Sequence, residues 1–74
     1  MAKRKTKPAA EQSFAKHIVM YPQGLNLRAG PGTQYDVLRV LKAGEEVQQS
    51  GDKQEDGWMP VGDGWIDSRY VREV

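Results

Sequence analysis

The stretch from Leu25 to Tyr35 constrains the fold more than any other part of this chain. Apolar and polar side chains alternate from Leu25 to Arg28, as in a β-strand that buries one face. The next five residues read Ala-Gly-Pro-Gly-Thr. The two glycines can adopt positive φ and the proline has a fixed φ, so this segment predicts a tight, specified loop rather than a helix. A second apolar run starts at Val37, and we therefore expect a strand, a shaped loop and a second strand.

Four segments, taken in order, resemble the signature of the bacterial SH3 domain family. The first is the Leu25–Tyr35 stretch, with its Leu-Asn-hydrophobic-Arg strand and its Gly-Pro loop. Val37–Val47 is similar to the family's next strand, turn and strand, Gly57–Val61 to its Gly-Trp strand, and Gly64–Val71 to its closing segment. The likeness covers about residues 17 to 71. It implies an all-β fold, a small SH3-like β-barrel, and a non-catalytic binding module.

Two features depart from the family pattern. Pro60 lies inside the Gly-Trp strand, where it cannot donate a ladder hydrogen bond, so we expect this position at a sheet edge or a bulge. The hairpin from Val61 to Trp65 is very short, and its Asp63-Gly64 pair is a strong turn signal. A short connection leaves less surface at that end for contacting a ligand.

Residues 1–16 differ in composition from the rest of the chain. They hold five basic residues and one acidic residue, whereas residues 17–74 hold six basic and nine acidic residues. Large apolar residues are nearly absent from the first segment. We therefore predict a disordered basic arm over residues 1–16 and a barrel over residues 17–74. The clustered cations of the arm are Lys3, Arg4, Lys5 and Lys7.

The chain has no cysteine and a single histidine, so disulfides and thiolate metal sites are excluded and we expect neither a metal nor a cofactor. A domain this small must be stabilised by a thin core of aliphatic and aromatic side chains. The expected core residues are Leu25, Leu27, Val37, Leu41, Val47, Trp58, Val61, Ile66 and Val71.

Catalysis has little support in the sequence. His17 is the only side chain that could serve as a base near neutral pH, and it lies beside the basic arm. The carboxylates of Asp56, Asp63 and Asp67 could approach one another near the Gly-Trp segments, but a polar loop and a turn explain the first two. We therefore expect no enzymatic activity.

Trp58 and Trp65 are the largest apolar side chains, and a barrel of this size cannot bury both without crowding. We expect one of them to line a surface groove. The resemblance implies a groove of this kind, because SH3-like barrels generally bind extended peptides over aromatic-lined surfaces. The residues expected to form the groove and its polar rim are Tyr35, Trp58, Trp65, Tyr70, Asn26, Arg28 and Asp67.

Arg28 has two interpretations. In the favoured one it braces the Gly-Pro loop and pairs with Asp36 or Asp67. In the other it is an anchor for a carboxylate or peptide of the ligand.

The family resemblance implies recognition of a cell-wall peptide, either a stem peptide or a cross-bridge of peptidoglycan, or of a protein partner. The alternative is an intracellular or phage-type adaptor whose barrel docks on a protein while Lys3, Arg4, Lys5 and Lys7 contact nucleic acid. The sequence shows neither a membrane-spanning apolar run nor a secretory signal. On that basis we expect a cytoplasmic or phage-associated location unless the chain belongs to an exported assembly. Its oligomeric state is left open.

Overall fold

Seven short strands make up nearly all of the regular structure. The computed structural model describes residues 14–74, and within them it contains no α-helix. The all-β fold class predicted from the sequence is confirmed. The elements are β1 (Lys16–Val19), β2 (Leu25–Arg28), β3 (Val37–Leu41), β4 (Glu46–Gln48), β5 (Trp58–Val61), β6 (Gly64–Asp67), a 3-10 turn (Ser68–Tyr70) and β7 (Val71–Glu73).

The strands form two antiparallel sheets. One sheet has the order β4-β1-β7 and the other the order β3-β2-β6-β5. A bridge between Gln49 and Val61 joins the end of β4 to β5 and so connects the two sheets. β1 begins at Lys16, the residue at which the sequence-based division ended the arm. Lys3, Arg4, Lys5 and Lys7 lie outside the described residues.

The core lies between the two sheets. Six of the expected core residues are buried, and the structure adds two that the sequence reading omitted, Val19 and Met59. Val71 is partly buried and packs against this core, whereas Trp58 is only half-buried. The six expected residues that are buried are Leu25, Leu27, Leu41, Val47, Val61 and Ile66.

Val37 was expected in the core, and this prediction is wrong. The residue is 44% exposed, and it lies at the start of β3, an edge strand of the four-stranded sheet. A register shift between Leu27 and Arg28 in the β2–β3 pairing marks a bulge at the same place. A bulge redirects neighbouring side chains, and Leu38 and Val40 are exposed as well.

The loop formed by residues 29–36 is closed at its base by a hydrogen bond from the Ala29 amide to the Asp36 carbonyl (2.8 Å). Gly30 and Gly32 can adopt positive φ, but neither is among the described glycines that do so. Gly30 is required for close packing instead. A Cβ at this position would lie 2.5 Å from Cδ1 of Tyr35, so the loop folds with the tyrosine ring over its own backbone.

The β5–β6 hairpin brings the second Gly-Trp segment against β2. Its turn residues are Gly62, with φ +51°, and Asp63, one position earlier than the predicted Asp63-Gly64 pair. A Cβ on Gly64 would lie 2.6 Å from the carbonyl oxygen of Arg28, so the glycine allows β6 to approach β2. Pro60 lies on β5, an edge strand, and the expectation of an edge position is confirmed.

Candidate functional site

A cleft of about 230 Å³ opens on the outer side of the four-stranded sheet, and we call it the aromatic cleft. It lies where the 29–36 loop, the chain after β1 and the 3-10 turn come together. β2 contributes Asn26 and Arg28 from its outward face and also Leu25. The strand alternates as predicted, with Leu25 and Leu27 buried and the residues between and after them outside. The aromatic, polar and charged side chains that line the cleft are Tyr21, Asn26, Arg28, Thr33, Trp58, Asp67, Arg69 and Tyr70.

Arg28 ties the 29–36 loop to the sheet. Its Nη1 donates hydrogen bonds to the carbonyl oxygens of Thr33 (3.1 Å) and Tyr35 (3.0 Å). The ion pair expected with Asp36 or Asp67 is not formed, and Asp67 pairs with Arg69 instead. Among residues 14–74, no carboxylate forms a salt bridge with Arg28. The arginine therefore braces the loop through backbone carbonyls alone.

Asp67 is buried, and both of its carboxylate oxygens accept hydrogen bonds. Its oxygens accept hydrogen bonds from Nε (3.1 and 3.2 Å) and Nη2 (2.6 Å) of Arg69 and from the Arg69 backbone amide (3.0 Å). The side-chain hydrogen bonds from Arg69 lower the pKa of Asp67 below its ordinary value, and burial opposes this only in part. Asp67 thus caps the 3-10 turn and fixes the position of Tyr70.

Two tyrosines from distant parts of the chain form one wall of the cleft. The ring centroids of Tyr21 and Tyr70 are 4.7 Å apart and their planes are inclined by 49°, a favourable arrangement for aromatic rings. The Arg69 guanidinium lies 5.8 Å from the centroid of Tyr70, within the range of a cation–π contact. The hydrogen bond from the Met20 amide to the Tyr70 carbonyl (2.8 Å) holds the two segments together.

Comparison of the sequence with models of known protein families identifies the family of this chain. A family model described as "Bacterial SH3 domain" matches residues 23–72, well over half of the chain. The chain belongs to the bacterial SH3 domain family. Domains of this family are generally non-catalytic binding modules and often occur in cell-wall-associated proteins. No curated protein and no solved structure matches the chain.

Five of the seven groove residues predicted from the sequence line the aromatic cleft of this bacterial SH3 domain. They are Asn26, Arg28, Trp58, Asp67 and Tyr70.

The other two predicted groove residues do not line the aromatic cleft. Tyr35 is exposed, and its ring covers Gly30. Trp65 lies on β6, directly opposite Arg28 on β2 and Pro60 on β5.

Five lining residues were missing from the sequence prediction, namely Tyr21, Gly24, Leu25, Thr33 and Arg69. Tyr21 precedes a Pro-Gln-Gly turn, and an aromatic side chain at the end of a strand beside such a turn was the one local signal available. Its partnership with Tyr70 depends on pairing across the whole domain. Arg69 could have been inferred from its spacing to Asp67, since a short turn brings residues two apart into contact.

Two of the weak catalytic candidates of this SH3 domain, His17 and Asp67, line different clefts. His17 lies on β1 opposite Glu73 of β7. Asp56 accepts a hydrogen bond from the Trp58 amide (3.3 Å). Among the described residues, no three metal-ligating side chains of His, Cys, Asp or Glu cluster together. No helix in residues 14–74 is long and apolar enough to cross a membrane.

Proposed function

We propose that this bacterial SH3 domain binds an extended cell-wall peptide, a stem peptide or a cross-bridge of peptidoglycan, in the aromatic cleft. The observation that carries the proposal is the convergence of Tyr21, Trp58 and Tyr70 with polar side chains on one concave surface. Ligand sites typically combine an apolar or aromatic surface with a few placed polar groups. The cleft has that composition, and it supports binding rather than chemical conversion.

An extended peptide fits the cleft better than a compact ligand does. Rigid tyrosine and tryptophan rings offer large contact areas with little loss of side-chain entropy, and SH3-like surfaces use them to hold extended chains. Asn26 on β2 and Thr33 in the loop add groups that can hydrogen-bond to a peptide backbone. The aromatic rings provide the contact area, and the polar groups set the register of the ligand.

A single cleft of this size should bind weakly. Its volume of about 230 Å³ is below the usual range of about 300–1,000 Å³ for small-molecule sites. Useful affinity for a polymeric wall then comes from multivalency, through a neighbouring domain, a repeat or several copies engaging adjacent peptides.

An amide chemical-shift titration with synthetic stem peptides and cross-bridge peptides tests this function. We expect the largest shifts at residues 24–28, at Thr33 and at residues 67–70, because these positions line or border the cleft. Tyr21→Ala and Tyr35→Ala form a matched pair, since the two tyrosines are 39% and 42% exposed but only Tyr21 lines the cleft. Tyr21→Ala should weaken binding severalfold.

The pair of variants also separates the cleft from the groove predicted by sequence. Loss of binding in Tyr35→Ala with unchanged binding in Tyr21→Ala would place the ligand beside the 29–36 loop instead. Absence of any shift with every peptide, together with no sedimentation on purified peptidoglycan at low or high salt, would reject cell-wall binding.

Docking on a protein partner is the second candidate, and the edge strand β3 favours it. Val37, Leu38 and Val40 expose 44%, 47% and 56% of their surface along one strand. An exposed apolar edge strand can pair with a strand of another protein. Leu38→Lys should abolish such docking and leave peptide binding in the aromatic cleft intact.

The nucleic-acid part of this alternative concerns residues outside those described. Lys3, Arg4, Lys5 and Lys7 are expected to give salt-sensitive, sequence-independent attraction to phosphates. Co-sedimentation with duplex DNA that is lost at high salt and on deleting residues 1–7 would support it. Binding that persists after the deletion would contradict it.

A further inference from the structure

Arg28 is a half-buried cation without an anionic partner among the described residues. Three of the other six cations in residues 14–74 are paired, in Lys16–Glu46, Arg39–Glu45 and Arg69–Asp67. The remaining three, Lys42, Lys53 and Arg72, form no salt bridge within these residues, but none of them lines the aromatic cleft. Arg28 is less exposed as a whole residue than the three paired cations, although the hydrogen bonds of its guanidinium lie at the exposed surface. An anionic group of a ligand can therefore supply the partner that Arg28 lacks among the described residues.

The hydrogen bonds of Arg28 leave one side of its guanidinium available. Nη1 donates to the Thr33 and Tyr35 carbonyls, which uses both of its N–H groups. Nε and Nη2 make no hydrogen bond to any of residues 14–74. Those two nitrogens form the edge of the guanidinium that matches the two oxygens of a carboxylate.

The loop contacts also hold the guanidinium in place. A side chain already fixed by two hydrogen bonds loses little rotamer freedom when a ligand binds. Arg28 lies on the face of β2 that lines the aromatic cleft. The guanidinium is therefore held in the lining of the cleft, which also includes Thr33 and Asn26.

The charge in the cleft favours a single anionic group. Asp67 is neutralised by Arg69 through contacts as short as 2.6 Å, which leaves Arg28 as the surplus charge of the lining. Residues 14–74 as a whole hold seven basic and nine acidic residues. The attraction for an anion is thus local to the cleft, and a polyanion would meet repulsion from the rest of the domain.

We propose that the aromatic cleft selects peptides carrying a carboxylate, which Nε and Nη2 of Arg28 bind in a bidentate manner while Tyr21, Trp58 and Tyr70 hold the adjoining residues. This inference rests on the proposed function, because it names the group by which a peptide is recognised there. The carboxylate is either the C-terminal one or one internal to the peptide. A monoanion beside aromatic surface fits a single guanidinium better than a phosphate chain does.

Three versions of one synthetic stem tetrapeptide ending in D-alanine test the proposal with the full chain. The first has a free C-terminus and an amidated internal carboxyl group. The second has an amidated C-terminus and a free internal carboxyl group, and the third is amidated at both positions. At low salt we expect one of the first two to bind about tenfold more tightly than the third. The Nε–H resonance of Arg28 should shift with that peptide alone, which also identifies the source of the carboxylate.

Arg28→Gln is the corresponding variant and Arg72→Gln is its control, since Arg72 lies exposed on β7 of the other sheet. The preference for the carboxylate should disappear in Arg28→Gln and persist in Arg72→Gln. If Arg28→Gln does not fold, the comparison of the three peptides with the unaltered chain still tests whether the cleft selects a carboxylate.

Different results overturn different proposals. Equal binding of all three peptides in the cleft would overturn the carboxylate inference and leave the proposed function standing. No binding of any peptide would overturn both. Inorganic phosphate that shifts the Arg28 Nε–H resonance, with no difference among the peptides, would overturn the inference in favour of a phosphate site.

Discussion

At the scale of single residues, the structure gives different roles to Arg28 and Asp67. Both were placed at the rim of a ligand groove, with an ion pair between them as one structural alternative. In the structure Asp67 is committed to Arg69, and Arg28 is committed to the loop by one nitrogen only. The carboxylate thus shapes the cleft and the guanidinium remains able to bind.

The Asp67–Arg69 pair should make stability depend on pH. Because the folded state lowers the pKa of Asp67, its stabilising contribution is complete above the ordinary aspartate pKa of about 4 and is lost as the pH falls through the folded-state value. We expect Asp67→Asn to lower the free energy of unfolding at pH 7 by about 1 kcal/mol, through the weakened cap and ion pair. Urea unfolding between pH 7 and pH 2 measures this.

Asp63→Asn is the matched control, because Asp63 lies exposed in the β5–β6 turn. It should change stability by less than about 0.5 kcal/mol. Asp67→Asn should also lose less stability than the unaltered chain on acidification. Parallel pH curves for Asp67→Asn and the unaltered chain would exclude Asp67 as the titrating group.

At the scale of elements, β3 shows where a local pattern stops being informative. Its sequence, Val-Leu-Arg-Val-Leu, suggests a buried strand, yet only Leu41 is buried. Alternation establishes that a segment is a strand, but its neighbours decide which faces are covered. β3 has β2 on one side and no described strand on the other.

Val37→Ala and Val19→Ala test this difference with the same chemical change in two strands. Val19 is 1% exposed and Val37 is 44% exposed. We expect Val19→Ala to cost about 2 kcal/mol, because it leaves a cavity in the core, and Val37→Ala to cost less than about 0.5 kcal/mol. Thermal or urea unfolding of the two variants measures the ratio, and equal losses would mean that Val37 is covered in solution.

Local patterns predicted much of the fold, for identifiable reasons. Three features were predicted correctly: the alternation in β2, the edge position of Pro60 and the short β5–β6 hairpin. They follow from dihedral preferences and hydrogen-bonding capacity, which depend on the residue types alone. The contact between Tyr21 and Tyr70 does not follow, because it needs the pairing of β1 with β7. The role of Gly30 was misjudged for the same reason, since its constraint comes from a ring five residues away rather than from its own φ.

At the scale of the whole molecule, β1 contributes more than its short sequence suggests. It lies between β4 and β7 and supplies Val19 to the core, although the family match begins only at residue 23. We expect a fragment beginning at residue 23 to be unfolded, because its three-stranded sheet would lack the central strand. A fragment beginning at residue 14 retains every described strand and should fold, as judged by amide chemical-shift dispersion. A well-dispersed spectrum from the shorter fragment would show that β1 is dispensable.

The position of β1 also sets an order of events during protein synthesis. The strand is the first of the seven to leave the ribosome, but its neighbour β7 is the last, and their pairing joins Val19 to Val71. Contacts between such distant parts of a chain form late. The β7 side of β1 must therefore stay unpaired until nearly the whole domain has been made, although β4 can pair with the other side earlier. Among the described strands, β1 is therefore the first that a chaperone specific for short apolar segments would meet.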